Sequence, residues 1–181
     1  MNDAFEAFRA RYADLAVVTC EWRACGVEDP EALAGRVWDA LRVARRPLGL
    51  KEFYRVVEDV VDKAYRRQAE SVSMVESIMT GSLSMLRRGA AGSLDAGRKA
   101  LAGLGGRDAD LLRWTFWDGL SPAEIAEVAG RDASHQERRL TEALRAFGTR
   151  LPRELADDPA AAMRELQPGT HRRGRPTGPE A

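Results

Sequence analysis

The sequence predicts an all-α protein of two small helical domains joined by a flexible linker, and three observations predict it. Apolar residues recur at alternating steps of three and four, the period of amphipathic helices and not of strands. Helix starts carry acidic or hydroxyl caps next to proline, and helix stops carry glycine. Between the patterned stretches the composition changes over 69–99, whose second part is rich in Gly, Ala and Ser.

The first helix is predicted from Phe5, Phe8, Tyr12, Leu15, Thr19 and Trp22, which form one stripe, with Gly26 ending it. Glu28-Asp29-Pro30-Glu31 opens the second with an acidic cap and proline at the first helical position. Leu33, Val37, Leu41 and Ala44 share a face of that helix, and Pro47 and Gly49 break it. A third helix begins near Leu50, turning Phe53, Val57, Val60, Val61 and Ala64 inward and leaving Arg55, Lys63, Arg66 and Arg67 for solvent or a ligand. Val72, Val75, Ile78 and Met79 extend it, and three helices without a strand signal predict a small bundle over 1–80. The linker is placed at 81–99. Met74, Met79 and Met85 read as filler against the domains.

The second domain is expected over 100–151. It opens with Ala100-Leu101-Ala102-Gly103-Leu104, and Arg107-Asp108-Ala109-Asp110 caps a helix holding Leu111, Leu112, Thr115 and Phe116. Trp114 and Trp117 on that helix read as core or partner-facing. Ser121 and Glu124 stand in capping-box spacing with Pro122 between them, so a short helix starts there; Ile125, Ala126, Val128 and Ala129 are its apolar side and Gly130 its left-handed end. Ser134 and Glu137 repeat the capping-box spacing, and Leu140, Leu144, Phe147 and Leu151 mark one face of a longer helix. Two helices joined by a tight glycine turn make a helix-turn-helix, whose second helix fits a major groove. The tail, 152–181, is expected to hold a short helix at 159–166 and to be otherwise largely disordered.

Composition limits the function. Lys and Arg number 28 and Asp and Glu 28, so bulk charge does not hold the chain on a polyanion. Cys20 and Cys25 are five apart on one helix and point to different faces, which disfavours a disulfide, and neither histidine is near them in sequence to complete a zinc site. No metal or cofactor is expected. Every apolar stretch is broken by charge within a few residues, so neither a signal peptide nor a membrane span is expected, and the predicted location is cytoplasmic. With no Gly-rich phosphate loop after a strand and no paired carboxylates beyond what helix amphipathicity explains, an enzyme with a small-molecule substrate is not expected.

The run Leu120-Ser121-Pro122-Ala123-Glu124-Ile125-Ala126-Glu127-Val128, then Gly130-Arg131, Arg139-Leu140 and Ala143, resembles region 4 of bacterial sigma-70-type sigma factors, most closely the small extracytoplasmic-function group. The helix order upstream resembles region 2 of that family: the stripe at 5–22, then Asp29-Pro30-Glu31-Ala32-Leu33 on to Trp38, then Phe53-Tyr54-Arg55-Val56-Val57 with Asp62 and Arg66-Arg67. The resemblance implies that core RNA polymerase and promoter DNA are the partners, with an anti-sigma factor as a further one. It implies polymerase contacts from Glu31, Leu33, Arg36, Val37 and Trp38, and minus-10 contacts from Arg55, Lys63, Arg66 and Arg67. The minus-35 element would be read by the helix-turn-helix. There Ser134, His135, Gln136, Arg138 and Arg139 are the residues for base edges or phosphates, with Arg131 and Arg145 for backbone phosphates.

Departures from the family pattern also have implications. Gly35 and Arg36 stand where the family has acidic and glutamine clamp contacts, and Glu58 and Asp59 face the expected path of the displaced strand. Glu137 and Glu142 replace basic residues, and Gln136 replaces a buried aliphatic. Seven arginines against eight carboxylates over 100–151 leave the second domain without net attraction for DNA, so affinity must come from polymerase. The alternative is a sigma-like regulator that works through protein contacts without promoter melting. In the tail, Arg172-Arg173-Gly174-Arg175-Pro176 resembles the core of a minor-groove-binding AT-hook.

Overall fold

The computed structural model describes residues 2–44, 47–76 and 91–169. Among these every regular element is a helix, as the apolar periodicity predicts, and the helices fall into two compact units.

The first unit holds α1 (Asn2–Ala24), α2 (Pro30–Val43) and α3 (Leu50–Glu76). Leu15, Thr19 and Trp22 of the predicted stripe are buried, and non-helical backbone at Tyr12 kinks α1. At its end Cys25 and Gly26 both take positive φ, so the turn begins one residue earlier than the glycine signal placed it. Asp29 caps α2 by accepting from the Ala32 N–H at 2.8 Å, with Pro30 first in the helix. The three helices meet around Trp38, whose ring centre lies 5.8 Å from that of Phe53, 6.2 Å from Phe8 and 6.4 Å from Phe5. Cys20 is buried and Cys25 exposed, both as free thiols.

The second unit holds α4 (Ala91–Ala102), α5 (Gly106–Phe116), α6 (Pro122–Ala129), α7 (Ala133–Gly148), α8 (Arg153–Ala156) and α9 (Pro159–Glu165). Two sequence expectations change here. Residues 91–99 are helix and not linker: Ala100 and Leu101 at its end are buried, and a Cβ on Gly97 would lie 2.8 Å from Leu166 Cδ2. Gly97, one of the small residues that suggest flexibility, serves close approach. The tail is also folded as far as residue 169, because Met163 and Leu166, 0% and 1% exposed, belong to the core of this unit. The Trp117 indole N–H donates to the Met163 carbonyl at 2.6 Å, which fixes α9 against α5. The Arg172–Pro176 motif, Ile78, Met79, Met85 and residues 81–90 of the expected linker lie outside the described residues.

Candidate nucleic-acid interface

The start of α6 closes on itself through three hydrogen bonds between Ser121 and Glu124. The Ser121 N–H and hydroxyl both donate to Glu124 Oε2, at 2.9 and 2.8 Å, and the Glu124 N–H donates back to Ser121 Oγ at 3.3 Å. This closes the capping box the spacing predicts. Gly130 ends α6 with φ 64° and ψ 37°, a left-handed conformation that glycine adopts without Cβ strain. Arg131 and Asp132 complete the turn, and α7 follows.

The cap of α7 differs from expectation. Asp132 is the N-cap, accepting from the His135 N–H at 2.7 Å, and Ser134 lies inside the first turn with its hydroxyl donating to the same Asp132 oxygen at 2.8 Å. An Asp competes well with a Ser for this position, and here it stands two residues earlier. The His135 N–H, then the Ser134 hydroxyl, hold the Asp132 carboxyl below its ordinary pKa. Likewise α5 begins at Gly106 on a Gly105 cap with no side-chain hydrogen bond, so Asp108 is free of capping. It accepts instead from Arg139 Nε at 2.8 Å.

These contacts sort the predicted DNA residues. Ser134, Arg138 and Arg145 are exposed, and with Thr141 they fall at steps of four, three and four, one outward stripe of α7. Arg138 and Arg145 make no ion pair among the described residues, nor does Arg131 in the turn. Glu137 and Glu142 are exposed beside the stripe. His135 is half-buried at the edge of a groove of about 470 Å³ between α5 and α7, lined also by Asp108, Arg138, Arg139 and Glu142.

Two residues change role. Gln136 is 6% exposed and faces inward with Ala143 and Phe147, so it cannot reach a base edge in a duplex lying on the outer stripe. At 3.6 residues per turn it points about 200° away from Ser134. Arg139 is turned toward α5 by Asp108 and is half-buried, so it fastens the helix before it offers anything to DNA. Thr141 was missed by residue-type reasoning, although its spacing from Ser134 gives it away.

The first unit is corrected more heavily. Leu33, Val37 and Trp38 are 0%, 0% and 6% exposed, so these three expected polymerase contacts are core. Their face of α2 is covered by α1 and α3. Glu31 is exposed, and Arg36 pairs with Glu28, which lies 3.6 Å from Arg67 as well. On α3, Arg55 is held by Glu52 at 2.6 Å and Asp59 at 2.9 Å, and the Glu52 hydrogen bond is the first cause of its raised pKa. Glu58 lies 3.5 Å from Arg23, whose guanidinium stacks 4.5 Å from the Trp22 ring centre. Glu58 and Asp59, the two carboxylates expected to face a displaced strand, are therefore each matched by an arginine. Lys63 and Arg66 are exposed with no ion pair among the described residues.

Among the described residues no group of three or more His, Cys, Asp and Glu is arranged to hold a metal ion, and no helix is long and apolar enough to cross a membrane. Compared with protein-family models, with curated proteins and with solved structures, the chain has no match.

Proposed function

We propose that the chain is a promoter-reading factor of the sigma type, which binds core RNA polymerase and directs it to DNA. The observation that carries this reading is the α6–Gly130–α7 hairpin with its open stripe of Ser134, Arg138, Thr141 and Arg145. A hairpin of this form places its second helix in a major groove. Arg138 suits guanine O6 and N7, and Arg131 and Arg145 suit phosphates. The seven arginines and eight carboxylates over 100–151 leave little free-standing attraction for a polyanion. Tethering through polymerase raises the effective concentration of DNA at α7 and removes the need for it. On α3, Lys63 and Arg66 are the cations open to a minus-10 strand, while Arg55 is engaged by its own helix.

A second reading is favoured by one feature of α3. Glu52, Glu58 and Asp59 pair with arginines of the same unit, which turns these charges to contacts within the unit and suits that part of α3 to a protein partner better than to melting a duplex. On that reading the chain regulates transcription through polymerase without opening promoters.

In-vitro transcription with core polymerase separates the two. Co-elution with core enzyme together with specific starts on genomic promoters supports the initiating factor. Co-elution without any specific start leaves the regulator, and absence of co-elution removes both.

A further inference from the structure

The outer stripe of α7 carries two hydroxyls, and both are already engaged. The Ser134 hydroxyl donates to Asp132 Oδ1 at 2.8 Å, and the Thr141 hydroxyl donates to the Glu137 carbonyl at 3.1 Å. A hydroxyl has one proton, so neither residue keeps a donor for guanine N7 or O6, for thymine O4 or for a phosphate. The side-chain donors left on the stripe are those of Arg138 and Arg145. Thr141 has a further group that Ser134 lacks. Its Oγ1 is drawn back against the preceding turn of the helix while the residue is exposed, so the γ-methyl is the part it presents outward.

The surroundings of Thr141 decide what that methyl meets. Exposed carboxylates stand at Glu137, one turn before it, and at Glu142, next to it. Like charge keeps phosphates from that flank, whereas base edges carry no net charge. Arg138 and Arg145 are exposed on either side of Thr141 along the helix. At 1.5 Å per residue Thr141 lies about 4.5 Å along the axis from Arg138. Base pairs follow one another at about 3.4 Å, so a helix seated with Arg138 on one pair brings Thr141 over the next one or two. In the major groove one base edge carries an apolar group, the C5-methyl of thymine, and a threonine methyl is a fitting partner for it. A purine in that place would turn polar edge atoms to the methyl and lose their water without replacing its hydrogen bonds.

We infer that Thr141 selects a thymine in the duplex through contact between the two methyl groups, one or two pairs from the guanine that Arg138 suits. This rests on the promoter reading proposed above and adds to it a base identity and the residue that enforces it. The hydroxyl of Thr141 holds the side chain on its own helix, and the methyl does the reading.

The test uses the full chain loaded on core polymerase and a library of duplexes of randomised sequence, from which the bound molecules are recovered and sequenced. The guanine whose enrichment is lost in Arg138→Ala marks the register, and a thymine is expected one or two pairs from it. Thr141→Val, which has a methyl and no hydroxyl, should retain that thymine. Thr141→Ser, which has the hydroxyl and no methyl, should lose the preference. On the best selected duplex, deoxyuridine in place of the thymine removes only the 5-methyl. It should weaken binding about fourfold for the original chain and for Thr141→Val, as expected for one buried methyl, and leave Thr141→Ser unaffected. A thymine preference that survives in Thr141→Ser, or an equal response to deoxyuridine in all three chains, overturns the assignment and leaves promoter reading intact. Absence of any enrichment that depends on Arg138 overturns reading by α7 and this inference with it. Loss of co-elution with core polymerase in Thr141→Ser would give the stripe to a protein partner, which also overturns the inference.

Discussion

Arg139 Nε donates to Asp108 Oδ1 over 2.8 Å and joins the middle of α7 to the first turn of α5, 31 residues away in sequence. Both side chains are about one-third exposed, so water screens the pair and its coupling is modest. A double-mutant cycle of Asp108→Ala and Arg139→Ala, read by urea unfolding, should give a coupling of about 0.5–1 kcal/mol. Strict additivity would mean that the contact does not hold the helices together.

Arg138 and Arg145 project from the outer stripe without ion pairs. Replacing either with alanine should leave the unfolding midpoint within about 0.5 kcal/mol of the original, as for open surface positions. On polymerase-bound duplex, each change should reduce the slope of log affinity against log salt by about one. An unchanged slope in both variants would remove α7 from the DNA contact. Arg139→Ala differs in kind, because it should lower stability and duplex binding together.

The stretch after Leu151 is part of the folded unit. A chain ending at residue 151 loses the burial of Met163 and Leu166, about 1.5–3 kcal/mol for each side chain, and the partner of the Trp117 indole N–H. Thermal unfolding should therefore show a clear drop relative to a chain ending at 169. Equal midpoints would contradict the packing of α9.

Asp132 sets a pH signature. Its carboxyl is held below the ordinary value of 3.8 by the His135 N–H and the Ser134 hydroxyl, so the unfolded chain protonates first as pH falls. The cap's electrostatic contribution is fully present above that ordinary value and is lost as pH drops through the lower folded one. Stability curves of the original chain and Asp132→Asn should run parallel at neutral pH and converge below about pH 4. A constant gap across that range would show that the carboxylate charge is irrelevant to the cap.

Most of the architecture was legible because its signals are local. Asp29-Pro30, Ser121-Pro122 with Glu124, and Gly130 fix helix ends through bonds within a few residues, and the structure places those ends where the residues say. What depends on distant partners was not legible. Gly97 reads as flexible until Leu166 is seen against it, and Met163 reads as tail until Trp117 is seen donating to its carbonyl. For the candidate site the same division holds. The exposure of Ser134, Arg138 and Arg145 follows from helical period, whereas the burial of Gln136 and the capture of Arg139 by Asp108 depend on where α5 lies. Leu33, Val37 and Trp38 read from sequence as a partner surface because an apolar face looks the same whether its own bundle or another protein covers it.

The Trp117–Met163 bond has a kinetic meaning as well. It closes a loop across 46 residues, whereas the caps of α6 and α7 form within three. Loop-closure entropy delays the long contact until the shorter ones are in place. Trp117→Phe should thus accelerate unfolding and leave the refolding rate nearly unchanged, with the C-terminal helix acting as the bolt shot home after the hairpin has formed.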